Sequence, residues 1–367
     1  MKQAQAAAIK ARPAGIRRFF DITQTSVKAT LLGMLVVYLI GIFGYALRQF
    51  NTTDVMPPLK PINTDALKQM GPFTVRVKVG MFIKHFPIFD VSKNTFQVDA
   101  IVWFEFNGDE MNLDTVERFS FDNGKMVYKS PPEIKVTGTN IFVRYNVIFE
   151  LKTNLQFHRF PLEDHRLAIM MANEFVTPDE MIFVVGASSF EMFSKEAPAG
   201  WNFGDLSVDA GIQPLVLDKQ DADKKAESPK ALFIANVIKS SSRRALVIFL
   251  PLFSMVFLAL LCFLMNAANV IGKVTLSSSA LTGLLGYRFV LEQMVPQVGY
   301  FTTTDSIYLL LLVFAFVNFC VQLFLTRYMM VNTADPTAGA TSERVSSGLF
   351  MVGLVLLTAA TTYLILF

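Results

Sequence analysis

The chain has 367 residues, 52% of them hydrophobic, and a mean hydropathy of +0.42, which is too apolar for an ordinary soluble protein and points to an integral membrane protein. A formal net charge of +3, with no basic groove interleaved with aromatics, points away from nucleic acid as a partner. The two cysteines, Cys262 and Cys320, both lie inside apolar runs, so neither a disulfide framework nor a thiolate metal site is expected.

Residues 1–28 carry Lys2, Lys10, Arg12, Arg17, Arg18 and Lys28 against the single acid Asp21, and an apolar run over residues 30–47 follows at once. By the positive-inside rule this is a cytoplasmic tail and an N-terminal transmembrane anchor over residues 29–48, leaving the chain outside beyond it. A cleaved signal peptide is the competing reading; the leader is long for one, and no small-x-small site follows the run. Residues 49–72, with Pro57, Pro58 and Pro61, read as an extended linker.

Over residues 73–240 the apolar period becomes two. Phe73, Val75, Val77 and Val79 share one face, as do Phe96, Val98, Ala100, Val102, Phe104 and Phe106, and again Ile141, Val143, Tyr145, Val147, Phe149 and Leu151. Shorter strands are expected at residues 126–129, 166–171, 181–185, 201–208 and 231–239, with a turn at Phe121-Asp122-Asn123-Gly124. The expected domain is an antiparallel β-sandwich with one core, outside the membrane. Residues 241–367 then hold four spans, near residues 245–265, 273–294, 306–325 and 348–367, joined by inside segments 266–272 and 326–347 and an outside loop 295–305. The fold class is thus a β + α membrane protein: one N-terminal helix, a sandwich, and a four-helix transmembrane bundle.

The span over residues 273–294 is unlike the others. At helical spacing Thr275, Ser279, Thr282, Gly286, Phe289, Val290 and Gln293 form one stripe that is mostly polar or small, with Leu276, Leu281, Leu284, Leu285 and Leu291 behind it. Such a stripe at lipid depth faces water, as a pore lining, or a partner helix, as packing glue. Lys273 and Glu292 fall at its two ends as mouth charges, and Arg288 stands one turn before Glu292 for an i,i+4 pair. His85, His158 and His165 are the only side chains that titrate near neutral pH unperturbed. No nucleophile and base, metal-ligand cluster or phosphate loop stands out, so neither catalysis nor a cofactor is expected.

Taken together, the outside sandwich, the four spans with a polar second one, and Phe160-Pro161-Leu162-Glu163-Asp164-His165 before an alternating strand resemble the pentameric ligand-gated ion channels, the Cys-loop receptor superfamily. Val274-Thr275-Leu276, Ser279, Glu292, Pro296 and Tyr300-Phe301-Thr302-Thr303-Thr304 align with that family's pore helix and outer loop, Pro251 with the proline of its first channel helix, and Lys239 with the basic residue before that helix. Thr153 and Leu167 stand where the family has its two cysteines, as in prokaryotic members; the Trp-x-Pro-Asp agonist pattern is missing, residues 213–229 contain no aromatic side chain, and the first anchor is an addition.

The resemblance implies a homopentamer in a bacterial inner membrane that passes ions through the stripe; with Ile271 and Gly272 where related cation channels carry an acidic ring, and Glu292 at the outer end, weak selectivity with a slight cation preference is expected. Phe160, Pro161, Glu163, His165, Lys239, Pro296 and Tyr300 would form the gating interface. The stimulus is left open among a small ligand, a proton and a protein partner, and no ligand-binding residue is assigned. The alternative is a non-conducting scaffold or sensor that keeps the channel fold and binds another membrane or envelope protein.

Overall fold

A computed structural model of the chain describes residues 25–61, 74–193, 198, 200–216, 225–240, 242–266, 268–332 and 337–366. The basic tail before residue 25, much of the linker, and residues 217–224 lie outside the described residues. The chain divides into two compact units, each treated by itself below: a helical unit from the described parts of Met1–Gln49, His158–Leu162 and Ser242–Phe367, and a sheet unit from Phe50–Phe157 and Glu163–Ser241.

The sheet unit is sandwich-like. One sheet has the order β1 (Lys60–Pro61), β11 (Trp201–Val216), β12 (Lys225–Lys239), β8 (His165–Ala172), β4 (Ser120–Phe121). The other has the order β10 (Phe190–Met192), β2 (Val75–Asp90), β3 (Thr95–Asn107), β7 (Asn140–Lys152), β5 (Gly124–Lys129), with β6 (Glu133–Thr137) on β7 and β9 (Met181–Val184) on β2. A single helical turn, α2 (Leu113–Val116), is capped by Asn112. The core lies between the sheets, where the inward rows of β3 and β7 are buried at every second residue. Aromatic rings close it: Phe121 of β4 stacks on Phe149 of β7 at 3.9 Å, and Phe190 of β10 meets Phe233 of β12 edge-on at 5.3 Å.

Several expected boundaries move, for local reasons. The antiparallel expectation fails for β9 and β10, which both pair with β2 in parallel; a two-residue period tells which face a side chain takes and nothing of its partner's direction. The first strand runs on past Val79 because Gly80 breaks the alternation without ending the strand. Its Cα sits opposite Trp103, whose indole fills the space a Cβ would need. Part of the supposed linker belongs to the sheet unit, with Lys60–Pro61 paired on β11 and Met56 and Leu59 packed beside Leu232. Residues 213–216 and 225–229 are paired strands, Gln213 opposite Ser228.

The helical unit contains α1 (Thr25–Arg48), α3 (Arg243–Leu261, extended by a 3₁₀ turn Cys262–Leu264), α4 (Val270–Met294), α5 (Thr303–Val331) and α6 (Ala338–Leu366). All five long helices are long and apolar enough to cross a membrane, so the protein is a multi-pass membrane protein. α5 and α6, with 29 residues each, are longer than the roughly 30 Å hydrocarbon core requires at about 1.5 Å per residue. Residues 326–331 and 338–347, expected in an inside segment, are therefore helix; hydropathy marks only the lipid-depth part of a helix. α1 packs beside α3 and α6: Phe43 lies 4.7 Å from Phe249 and 5.6 Å from Phe253, and the Tyr38 hydroxyl bonds to Thr362.

Gly80→Val should cost about 1–3 kcal/mol through overpacking against Trp103, and Trp103→Leu in the same chain should recover part of that loss. Thermal unfolding of the full-length protein, followed by β-sheet circular dichroism, measures both; additive losses would remove Trp103 as the cause.

Candidate functional site

α4 has two unlike faces. Lys273, Ser277, Ala280, Leu284 and Leu291 are buried, held against α3 by contacts that need close approach: Gly283 leaves room for Met255, and the Tyr287 hydroxyl donates to Val247 O at 2.9 Å. Opposite, Thr275, Ser279, Thr282, Gly286, Phe289, Val290 and Gln293 are all exposed in the single chain, Phe289 by 72%. Every residue predicted for the stripe falls on this open face. Leu284 and Leu291 pack inward as expected, whereas Leu285 is 52% exposed.

The hydroxyls of this helix are treated differently by side. Ser277 and Ser278 bond back to the carbonyls of Val274 and Thr275, at 3.1 and 2.9 Å. Among the described residues the hydroxyls of Thr275, Ser279 and Thr282 have no hydrogen-bond partner. The open face thus offers free hydroxyls in a helix of membrane-spanning length.

The two mouth charges fare differently. Lys273 is 8% exposed and lies on the buried face, because two residues of helix turn it roughly 200° away from Thr275; its place as a charge at the mouth of the stripe is corrected accordingly. Glu292 stays exposed and pairs with Arg288 at 3.2 Å, as the spacing predicts. The structure adds Asp305, which takes Arg288 at 2.9 Å while its carboxylate accepts from Thr302 in the capping box of α5. These three charges, with Pro296 and Tyr300, line a cavity of about 370 Å³. Asp305 was not singled out in the sequence, although a Thr-x-x-Asp cap signal was there to find.

The residues expected to gate divide between the units. Phe160 and Pro161 belong with Pro296 and Tyr300 in the helical unit. There the segment His158–Leu162 is fastened to the start of α5, Thr303 N–H donating to His158 O at 2.8 Å and the Thr304 hydroxyl to Phe160 O at 2.9 Å. Arg159 reaches Leu366 O at 2.8 Å, His158 stacks on Tyr300 at 4.0 Å, and Arg244 lies 5.5 Å over the Phe160 ring. Glu163, His165 and Lys239 lie in the sheet unit, where Lys239 pairs with the buried Asp164 at 3.0 Å. His165 is 2% exposed, with Asp54 3.1 Å from Nδ1 and Glu163 3.8 Å from Nε2. Of the other histidines, His85 is exposed and 3.6 Å from Asp99.

Asp54 is the centre that sequence reasoning missed, since it sits in the supposed linker. Its carboxylate accepts from Gln156 N–H at 2.7 Å and Arg166 N–H at 2.9 Å besides facing His165. Burial pushes this carboxyl up, but the His165 hydrogen bond and charge and the two backbone donors outweigh it and hold the group below its ordinary value. Among the described residues no cluster of three or more His, Cys, Asp or Glu is placed to hold a metal ion. No family model matches the chain, and no curated protein matches it.

Because the folded carboxyl lies below its unfolded value of about 3.9, its stabilisation is complete above that pH and is lost as pH falls through the folded value. Asp54→Asn should therefore cost stability at pH 7, by about 3–5 kcal/mol if the buried pair is broken. Unfolding by denaturant should show the gap between wild type and variant narrowing only below about pH 4; a gap independent of pH would mean that Asp54 acts through shape alone.

Proposed function

We propose that five copies of this chain surround a water-filled path lined by the open face of α4, and that the assembly is an ion channel of the pentameric ligand-gated type. One observation carries this reading: Thr275, Ser279 and Thr282 present hydroxyls without a partner among the described residues, on an exposed stripe of a membrane-length helix whose opposite face is already packed. Lipid cannot satisfy those groups, and copies of the stripe around an axis can enclose water that does. Thr275 and Ser279 would replace part of an ion's hydration shell; Phe289 and Val290, with the side-chain-free Gly286 one turn below, would close the path by dewetting.

Selectivity follows from the charges beside Glu292. Arg288 is shared between Glu292 and Asp305, so each copy contributes one net negative charge there, exposed and screened by salt. The expectation is a weak cation preference that grows as ionic strength falls, with no part for the buried Lys273. Coupling would run through the chain itself: the segment His158–Leu162 is bonded to the start of α5 and continues at both ends into the sheet unit, so a displacement of β8 would pull on the loop after α4. The stimulus acting on the sheet unit is a small ligand, a proton or a protein partner. In this reading the N-terminus is cytoplasmic and the sheet unit lies outside an inner membrane.

Two measurements test it. Purified protein in a bilayer should conduct, and Thr275→Cys should make that current sensitive to a water-soluble thiol reagent; proven labelling with unchanged current would remove Thr275 from the path. A five-fold particle that never conducts would favour the scaffold reading instead. Glu292→Gln should move the reversal potential in a salt gradient toward zero, and strong selectivity untouched by the substitution would place the filter elsewhere.

A further inference from the structure

The chain that leaves α1 is bound into the sheet unit almost at once. α1 closes at Arg48, and the backbone of Asn51 already forms a two-way pair with Asp164. Asn51 N–H donates to the Asp164 carboxylate at 2.9 Å, and Asp164 N–H donates to Asn51 O at 2.7 Å. Phe50 lies under the Arg166 guanidinium at 5.7 Å, and Asp54 follows with its bonds to Gln156, His165 and Arg166. The same Asp164 carboxylate accepts from Lys239 N–H at 2.9 Å and pairs with its ammonium at 3.0 Å. One buried acid thus joins three paths: the chain arriving from α1, the chain leaving for α3, and the chain continuing from His158–Leu162, which is fastened to the start of α5.

This connection has little slack. From Arg48 to Asn51 even a fully extended chain reaches only about 11 Å, so the position of Arg48 bounds where Asn51 can be. Displacement cannot be taken up further along either, because Met56 and Leu59 pack beside Leu232, and Lys60–Pro61 pairs with β11, where Gly211 leaves room for Lys60 O. α1 itself is held by a narrow stripe. Leu35, Leu39 and Ala46 are its buried apolar residues, Phe43 meets Phe249 and Phe253 of α3, and the Tyr38 hydroxyl bonds to Thr362 of α6, while Met34, Val37, Ile40 and Tyr45 are exposed. Shifts of about 1–2 Å are ordinary for a helix. Lengthening the Asn51–Asp164 bond by about 1 Å is enough to break it.

We propose that α1 is a regulatory helix whose docking on α3 and α6 sets the state of the Asn51–Asp164 latch, through the short chain from Arg48 to Asn51. Docked, α1 holds Asn51 within reach of Asp164, and the three paths stay joined. Undocked, it draws Asn51 away, and the Asp164 carboxylate keeps only Lys239. By linkage the latch favours docking as much as docking favours the latch. In the channel reading the latch lies on the path by which the sheet unit acts on α4, so α1 biases opening; the coupling itself does not rest on that reading.

Hydrogen–deuterium exchange of the full-length protein in nanodiscs, read by mass spectrometry, tests the coupling without any current. Phe43→Ala and the milder Tyr38→Phe should each speed exchange in the peptides that hold Asn51 and Asp164 roughly fivefold, the lower end of ordinary coupling between sites. Wild-type protection of β3 and β7 in the same samples shows that the sheet unit is folded. A short Gly/Ser insert between Arg48 and Gln49 supplies slack and should abolish the effect of either substitution, whereas the same insert after Asn332, at the end of α5, should leave it in place. Unchanged exchange at Asn51 and Asp164 in both variants would overturn the proposal. So would faster exchange that survives the insert after Arg48, since the effect would then travel through α3 or α6. Absence of conductance would count against the channel reading alone and leave these exchange outcomes as they are.

Discussion

A hydrogen-bonding group at lipid depth has no solvent to fall back on, and much of the helical unit is arranged around that constraint. α4 meets it in several ways along one helix: Ser277 and Ser278 bond back to their own turns, Tyr287 reaches the backbone of α3, and Thr275, Ser279 and Thr282 are left open. The first two solutions are complete within a single chain. The third leaves three hydroxyls without a hydrogen-bond partner among the described residues.

The sheet unit satisfies its own buried polar groups with carboxylates. Asp54 and Asp164 are buried acids used as acceptors for chain segments far apart in sequence: Asp54 ties residues 156, 165 and 166, and Asp164 ties residues 51 and 239. Each bond here is charge-assisted and shielded, so the two acids define the path of the chain more firmly than the apolar contacts around them. His165 is enclosed by Phe157 and Trp201 rings as well as by acids, which makes it a built-in part of this anchor. The counterpart in the helical unit is the start of α5, where Thr302, Thr303, Thr304 and Asp305 satisfy the helix end and the carbonyls of His158 and Phe160 together.

Charge is handled less completely at the other end of the bundle. Arg288 is matched by two acids, whereas among the described residues neither of the buried lysines Lys28 and Lys273 forms an ion pair. α1 thus brings one of the two buried cations into the helical unit.

The periodic elements were legible in the sequence because side-chain direction in a helix or strand is a local property. All seven stripe positions of α4 face outward, and β3 and β7 begin and end within a residue of the alternating runs that announced them. The same wheel already separated Lys273 from Thr275, had it been applied to the charges. What depended on the tertiary structure was pairing across distance: Asp54 with His165, Arg288 with Asp305, Lys28 with the carbonyl of Phe263, and the parallel seats of β9 and β10 on β2. No local period encodes which remote acid meets which base, or which way a neighbouring strand runs. Those choices are made when buried polar groups must find partners inside one packed core, and the chain between them carries no trace of the outcome.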